Sequence, residues 1–272
     1  MNNHNQQYIN TQPQKKRELH LPSFLNCNAR SICPKIDYAE CLIIKNKIDI
    51  ACITETWCNP NIDDRLLQIS NYAIERKDRI DQIGGGILCY IKKDIHYRRW
   101  NNLENEFETM WLTIRTQRMP RNHPYIIIGI IYCPPKTNDW LLTQHIISSI
   151  DKITTIHPNS AIFLIGDFNQ LKDRHLITNL NVKQIVKKAT RGSNILDKIY
   201  TTMAEVYNTQ VTDGLQNSDH NCILAYPTNI KEYQKQMKEK NTIYRRNQTH
   251  VRKCLLASEL KQKKWDILYK LP

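Results

Sequence analysis

The chain has 272 residues, with 39 Lys and Arg against 26 Asp and Glu for a net charge of +13. That length suits one large α/β domain with tails or two small domains, and no apolar run approaches the ~18 residues needed to span a bilayer. The first 14 residues include eight Asn or Gln and no apolar core, which excludes a secretory signal and predicts a disordered polar segment over residues 1–20.

The charge is unevenly placed. Residues 228–272 hold twelve Lys or Arg against four Asp or Glu, and residues 1–20 hold three against one. Residues 21–227 are therefore only mildly basic, and the positive field sits in the tail, where it suits either a polyanion or a solvated Lys-rich surface. Nine cysteines occur without a C-x-x-C pair, several of them inside apolar runs. An odd count with neither signal nor zinc spacing predicts reduced thiols, in a nuclear or cytoplasmic protein that is not secreted.

Taken in order, residues 21–27 read as a first strand, and Pro34 opens a helix to about Lys47. Ile48 to Thr54 is a strand buried on both faces, and Tyr72 to Glu75 is a short one followed by the charged loop Arg76-Lys77-Asp78-Arg79. Gly84-Gly85-Gly86 leads into the strand Ile87 to Ile91; no helix and no Gly-Lys-Ser/Thr follow, so a tight turn with close backbone approach is expected, not a nucleotide loop. Phe107 to Ile114 and Tyr125 to Tyr132 form a consecutive strand pair. Asp139 to Ile153 has helical spacing, Ala161 to Ile165 is a central strand, and Ile195 to Thr201 and Val206 to Val211 read as the next pair. Cys222 to Tyr226 closes the set, and after Pro227 the composition shifts to Lys, Gln and Glu, with amphipathic helical spacing over 250–270.

Several strand ends carry polar groups suited to chemistry: Asn28, Glu55, Tyr132, Asp167 with Asn169, Asp197, and Asp219 with His220. An acid closing the apolar run Ile50 to Ile53 is costly without a charged partner, which makes Glu55 the leading metal-ligand candidate; the competing reading is an acid at a helix N-terminus. Asp167 and Asn169 flank Phe168, so extended backbone puts both on one side, where they would hold a water and a phosphate oxygen; the competing reading is an Asx-turn. Of nine histidines, His220 alone has an adjacent acid at a strand entrance, and the other eight read as surface residues. An imidazole near a phosphate needs a carboxylate to orient it, and Asp197 is available unless it is a solvated edge acid. Together these groups have the composition of a metal-dependent phosphodiesterase site.

In that order the residues resemble the endonuclease/exonuclease/phosphatase family over about residues 21–227. Asn28-Ala29-Arg30-Ser31, Thr54-Glu55-Thr56-Trp57, Gly84-Gly85-Gly86 and Thr190-Arg191-Gly192 look most like the endonuclease domain of non-long-terminal-repeat (non-LTR, LINE-type) retrotransposons. Arg30 stands where the apurinic endonuclease branch has an acid, which argues against abasic-site specificity. The resemblance implies an α/β fold, a DNase I-like four-layer sandwich of two packed mixed β-sheets flanked by helices. It further implies a DNA endonuclease that nicks its target for insertion, with Mg²⁺ (or Mn²⁺) held by Glu55 and with Asn28 and Asp219 nearby. Asp167 would orient or deprotonate the attacking water, and Asn169 would help to fix it. Tyr132 and His220 would contact the scissile phosphate, with Asp197 orienting His220. DNA is the implied partner, and residues 241–270 resemble the segment leading to a reverse transcriptase in a longer polyprotein. The pattern also admits a phosphoesterase of the same fold acting on another ester, or an idle nucleic-acid-binding relic.

Overall fold

The computed structural model describes residues 19–80 and 84–228 and, singly, 230, 233 and 258. The chain divides into two compact units, Met1–Lys231 and Glu232–Pro272, and the fold below is that of the first. The polar segment over 1–18, most of the basic tail and the helix expected over 250–270 lie outside the described residues. No helix among the described residues is long and apolar enough to cross a membrane.

In chain order the elements begin with β1 (Phe24–Asn28), α1 (Ile36–Lys45), β2 (Ile50–Thr54), β3 (Tyr72–Lys77), β4 (Ile87–Lys92) and β5 (His96–Arg99). They continue with β6 (Thr109–Arg115), β7 (Ile126–Tyr132), α2 (Asp139–Ile156), β8 (Ala161–Asp167), α3 (Arg174–Leu180) and β9 (Lys183–Gln184). Last come β10 (Asp197–Thr201), β11 (Tyr207–Thr212) and β12 (Cys222–Pro227). One six-stranded sheet has the order β11-β12-β1-β2-β4-β3, the other β5-β6-β7-β8-β10-β9. Each carries a parallel pair at its centre, β1 with β2 and β7 with β8, and the neighbours outside are antiparallel.

The near-continuous apolar runs of the central strands follow from burial on both faces. On the outer side of the first sheet, Ala51 and Ile53 of β2 pack with Ala39 and Ile43 of α1. On the outer side of the second, Ile127 and Ile131 of β7 pack with Leu142, Ile146 and Ile150 of α2, whose N-cap Asn138 accepts from the Leu141 N–H. Between the sheets Phe24 stacks on Phe163 at 4.7 Å, and Tyr207 meets Phe163 edge-on at 5.0 Å. The α/β architecture is thus helix, sheet, sheet, helix, the four-layer sandwich.

Four local expectations are corrected. β10 and β11 are consecutive but do not pair: β10 lies between β8 and β9, whereas β11 edges the other sheet beside β12. β3 continues through Arg76 and Lys77, which pair with Leu88 and Ile87 of β4, and Arg99 donates to Glu75 and to the Arg76 carbonyl. β5 and α3, with weak apolar periodicity, were not legible. His145 is not a surface residue; it is wedged by Phe107 and bonded to Thr109 and Asn105. The reduced state expected of the cysteines fails for Cys27 and Cys222, which face each other across β1 and β12 with Cα atoms 4.7 Å apart and form a disulfide. Directly opposed residues of an antiparallel pair approach closely enough for this.

Candidate active site

Parallel strands end at the same edge, so β1 and β2 deliver Asn28 and Glu55 side by side, and β7 and β8 deliver Tyr132 and Asp167. Antiparallel neighbours then bring their starting residues to that edge. Asp197 opens β10 directly opposite Asp167, and His220 precedes β12 beside the end of β1. The site is therefore a junction of two sheets, and no segment contributes more than a few side chains.

Glu55 sits immediately after β2 with φ of 50°, a left-handed conformation rare for an L-residue. No helix follows, so the helix N-terminal reading of this acid fails. The turn is held by the glycine run: the Trp57 N–H donates to the Gly85 carbonyl at 2.9 Å, and a Cβ on Gly86 would lie 2.5 Å from Thr56 Oγ1. The close approach expected of these glycines is what turns the Glu55 carboxylate inward. Glu55 Oε1 accepts from Asn28 Nδ2 at 2.9 Å and from the Tyr132 hydroxyl at 3.0 Å, and Oε2 accepts from the Trp57 indole N–H at 3.3 Å. Burial, reinforced by Glu55, raises the Tyr132 phenol far above its ordinary range, so it stays a donor.

Asn28 Nδ2 also donates to Asp167 Oδ2 at 2.9 Å. Asp167 is 1% exposed. Burial first, then the nearby charge of Asp197, pushes its carboxyl up to about 6. Asn169 has φ of 44°, so the backbone is turned, not extended as expected. Its N–H donates to Asp167 Oδ1 at 2.9 Å, an Asx-turn, and its Nδ2 donates to the Cys133 carbonyl at 2.8 Å, with Asp167 Oδ2 at 3.4 Å. The turn geometry and the convergence of acid and amide coexist here.

His220 Nδ1 lies 2.7 Å from Asp197 Oδ2, and both side chains are shut from solvent. Since a carboxylate only accepts, Nδ1 carries the proton and Nε2 is left for a ligand. Burial disfavours the imidazolium, but the hydrogen bond and charge of Asp197 outweigh it and raise the His220 pKa above its ordinary value. Asp197 is no solvated edge acid: it is fully buried, and its second oxygen, Oδ1, has no hydrogen-bond partner among the described residues. Thr190 Oγ1 accepts from the N–H groups of Leu196 and Asp197 and so fixes where β10 begins. Ser218 Oγ donates to the Asn28 carbonyl and accepts from the His220 N–H, tying the two loops together.

Asp219 is bound by Arg30 at 3.1 Å and by Arg191 at 2.5 Å. Burial would raise its carboxyl, but the two guanidinium groups hold it below the usual range. The Asn28 side chain links the expected ligands: its Nδ2 bonds Glu55, and its Oδ1 accepts from the Arg30 N–H at 3.2 Å. Among the described residues, the acid and imidazole ligand atoms found within 4.8 Å of one another are those of Asp167, Asp197 and His220, a group that could hold an ion. This differs from the set expected on sequence, Glu55 with Asn28 and Asp219.

All eight expected residues thus meet at one edge, joined by a hydrogen-bond path from Glu55 through Asn28 to Asp167 and by the separate Asp197–His220 pair. Arg191, Thr190, Ser218 and Arg79 were not singled out as site residues. Arg79 pairs with Glu108, which also binds the Gly86 N–H at 2.5 Å, and its guanidinium lies 5.9 Å from the Tyr132 ring. Thr190 and Arg191 lie within a motif that carries the resemblance, as does Arg30, and Ser218 directly precedes Asp219; nothing in the sequence pointed to Arg79.

No known family model matches the sequence, and no curated protein matches it. Solved structures do. An AP endonuclease from Leishmania major, LMAP, superposes with a TM-score of 0.62 at 13% identity, over 76% of this chain and 87% of that one. The endonuclease domain of TRAS1, a telomere-specific non-LTR retrotransposon, gives 0.58 at 13%, over 76% and 98%. The 3′ phosphatase NExo from Neisseria, bound to a product DNA hairpin, gives 0.55 at 12%, over 76% and 99%. The chain has the DNase I-like α/β sandwich fold that these structures share.

Proposed function

We propose that the chain is a member of the endonuclease/exonuclease/phosphatase family and a divalent-metal-dependent DNA endonuclease, nicking target DNA for retrotransposon insertion. The observation that carries this reading is the meeting of Glu55, Asn28, Tyr132, Asp167, Asn169, Asp197 and His220 from both sheets at one edge. Solved structures of this fold, among them an AP endonuclease, a retrotransposon endonuclease domain and a 3′ phosphatase bound to product DNA, support it.

The donor set fits a hard cation. Four carboxylates, Glu55, Asp167, Asp197 and Asp219, crowd one edge with one imidazole, and their oxygens with that of Asn28 are the ligands such ions prefer. Glu55 would hold the ion, with Asn28 and Asp219 contributing directly or through water; Asp219 keeps lone pairs beyond those given to its arginines. Mg²⁺, or Mn²⁺ in its place, would neutralise phosphate charge and stabilise the leaving oxygen.

The chain's own groups supply the rest. Asp167, held by Asn28 and by the Asn169 N–H, accepts a proton from the attacking water, which Asn169 helps to place. The Tyr132 hydroxyl donates to the scissile phosphate, and so does His220 Nε2–H in the imidazolium form, which Asp197 orients and favours. General acid–base help is worth roughly 10²–10⁴ in rate, so electrostatic stabilisation must provide most of the acceleration. DNA is the substrate, and a reverse transcriptase domain is the partner expected in a longer parent protein.

The test is nicking of supercoiled plasmid with and without Mg²⁺, beside hydrolysis of soluble phosphate esters. Cleavage that needs Mg²⁺ and is lost in Asp167→Ala and Glu55→Ala is expected. Mg²⁺ should also raise the melting temperature of the wild type but not of Glu55→Ala. Turnover of soluble esters with intact plasmid would replace the nuclease reading by a phosphoesterase one.

A further inference from the structure

We propose that Arg30 and Arg191 form a two-guanidinium anchor for a backbone phosphate of the nucleic-acid substrate, oriented in advance by Asp219; this rests on the nuclease reading above. The two arginines come from loops 161 residues apart in sequence, yet each meets a different oxygen of one carboxylate, Arg30 by a hydrogen bond to Oδ1 and Arg191 by an ion pair with Oδ2. One negative charge between two positive ones leaves a net positive centre. Both arginine side chains remain nearly half exposed, at 46% and 45%, so their outer N–H groups face solvent. Planar guanidinium forks suit phosphate oxygens, and five donors each leave several N–H groups after the bond to Asp219.

Arg30 is placed at a cost. It has φ of 42° and Ser31 has φ of 76°, two consecutive non-glycine residues in left-handed backbone. Buried Lys35 holds this bend, its Nζ bonding the carbonyls of Ala29 at 2.5 Å and Arg30 at 3.0 Å, while the Ser31 N–H bonds the Glu55 carbonyl. Exposed ion pairs contribute little to stability, so the pair with Asp219 does not offset that strain. Strained backbone held by its surroundings is a mark of functional sites. Arg191 is set by a tight turn in which Gly192 has φ of 55°. Together with Asn169 and Lys172 it lines a cavity of about 710 Å³ beside the hydrolytic groups. Arg191 thus joins this cavity to Asp219 and Arg30, and Asp219 acts as a positioning residue for both guanidinium groups.

The experiment measures equilibrium binding of a short DNA duplex and of a soluble inositol phosphate, in Ca²⁺ in place of Mg²⁺, over a salt series. The proteins are the wild type, Arg30→Ala, Arg191→Ala and Arg30→Lys, each checked for an unchanged melting temperature. Each alanine variant should weaken binding of whichever probe the wild type takes by roughly tenfold. For the duplex, the slope of log affinity against log salt should fall by about one per arginine. Arg30→Lys should recover the slope but not the full affinity, since an ammonium carries the charge without the fork. A wild type that binds the inositol phosphate and not DNA, with the same arginine dependence, would keep the anchor and discard the nuclease. Unchanged affinity for both probes, or a wild type that binds neither, overturns the anchor.

Discussion

At the scale of single residues, the site works by placing groups where their ordinary protonation no longer holds. Asp167 is buried beside a second acid, so its carboxyl titrates near 6. In the proposed role of proton acceptor it acts only when ionised, and because its pKa is raised, protonation sets in at higher pH than for a free carboxyl. Plasmid nicking should therefore rise with pH through about 6 and then level off. A rate constant across the acid range would remove Asp167 from the proton transfer. Asp197 and His220 form a hydrogen-bonded pair excluded from water, in which the carboxylate fixes a proton on Nδ1. Asp197→Asn keeps the shape but removes the charge, so the His220 titration followed by NMR should move to lower pH. Nicking should fall by roughly 10²–10⁴-fold. An unmoved titration would show that His220 owes its pKa to something else.

The elements matter chiefly through their ends. Central strands are buried on both faces, so a polar residue inside them is costly unless paired, and the site residues gather where β1, β2, β7 and β8 stop and where β10 and β12 begin. The stop after β2 depends on glycine. A Cβ at Gly86, where φ is 87°, would strike Thr56 Oγ1 at 2.5 Å and push the Thr54-Glu55-Thr56 turn away from Tyr132 and Asn28. Gly86→Ala should destabilise the protein by roughly 1–3 kcal/mol in urea unfolding and reduce nicking well beyond that of a remote variant matched in stability. Equal loss in both variants would mean that the turn serves folding alone. Glu108 supports the same turn from the second sheet, through the Gly86 N–H and Arg79.

At the scale of the whole molecule, neither sheet owns the site. Asn28, Glu55 and His220 belong to one sheet, Tyr132, Asp167 and Asp197 to the other, and Phe24 stacked on Phe163 helps to hold the two in register. Phe163→Ala should cost roughly 3–5 kcal/mol and, in protein still folded, lower nicking by letting the halves shift. Wild-type activity in a variant destabilised that far would show the halves to be aligned by other contacts. The sequence by itself determined the central strands and the residues that close them, because an apolar run followed by a polar group is local information that burial enforces. It left two readings open at Glu55, Asp167 and Asp197, since each alone fits a turn or a helix start as well as a site. Only the tertiary structure decided that Glu55 turns inward, that Asp197 is buried against His220, that consecutive β10 and β11 part into different sheets, and that Cys27 meets Cys222. It alone brought Arg30 and Arg191 onto Asp219. Those outcomes depend on pairing between segments far apart in the chain, and hydrophobic periodicity states which face of a strand is buried without stating which strand will lie beside it.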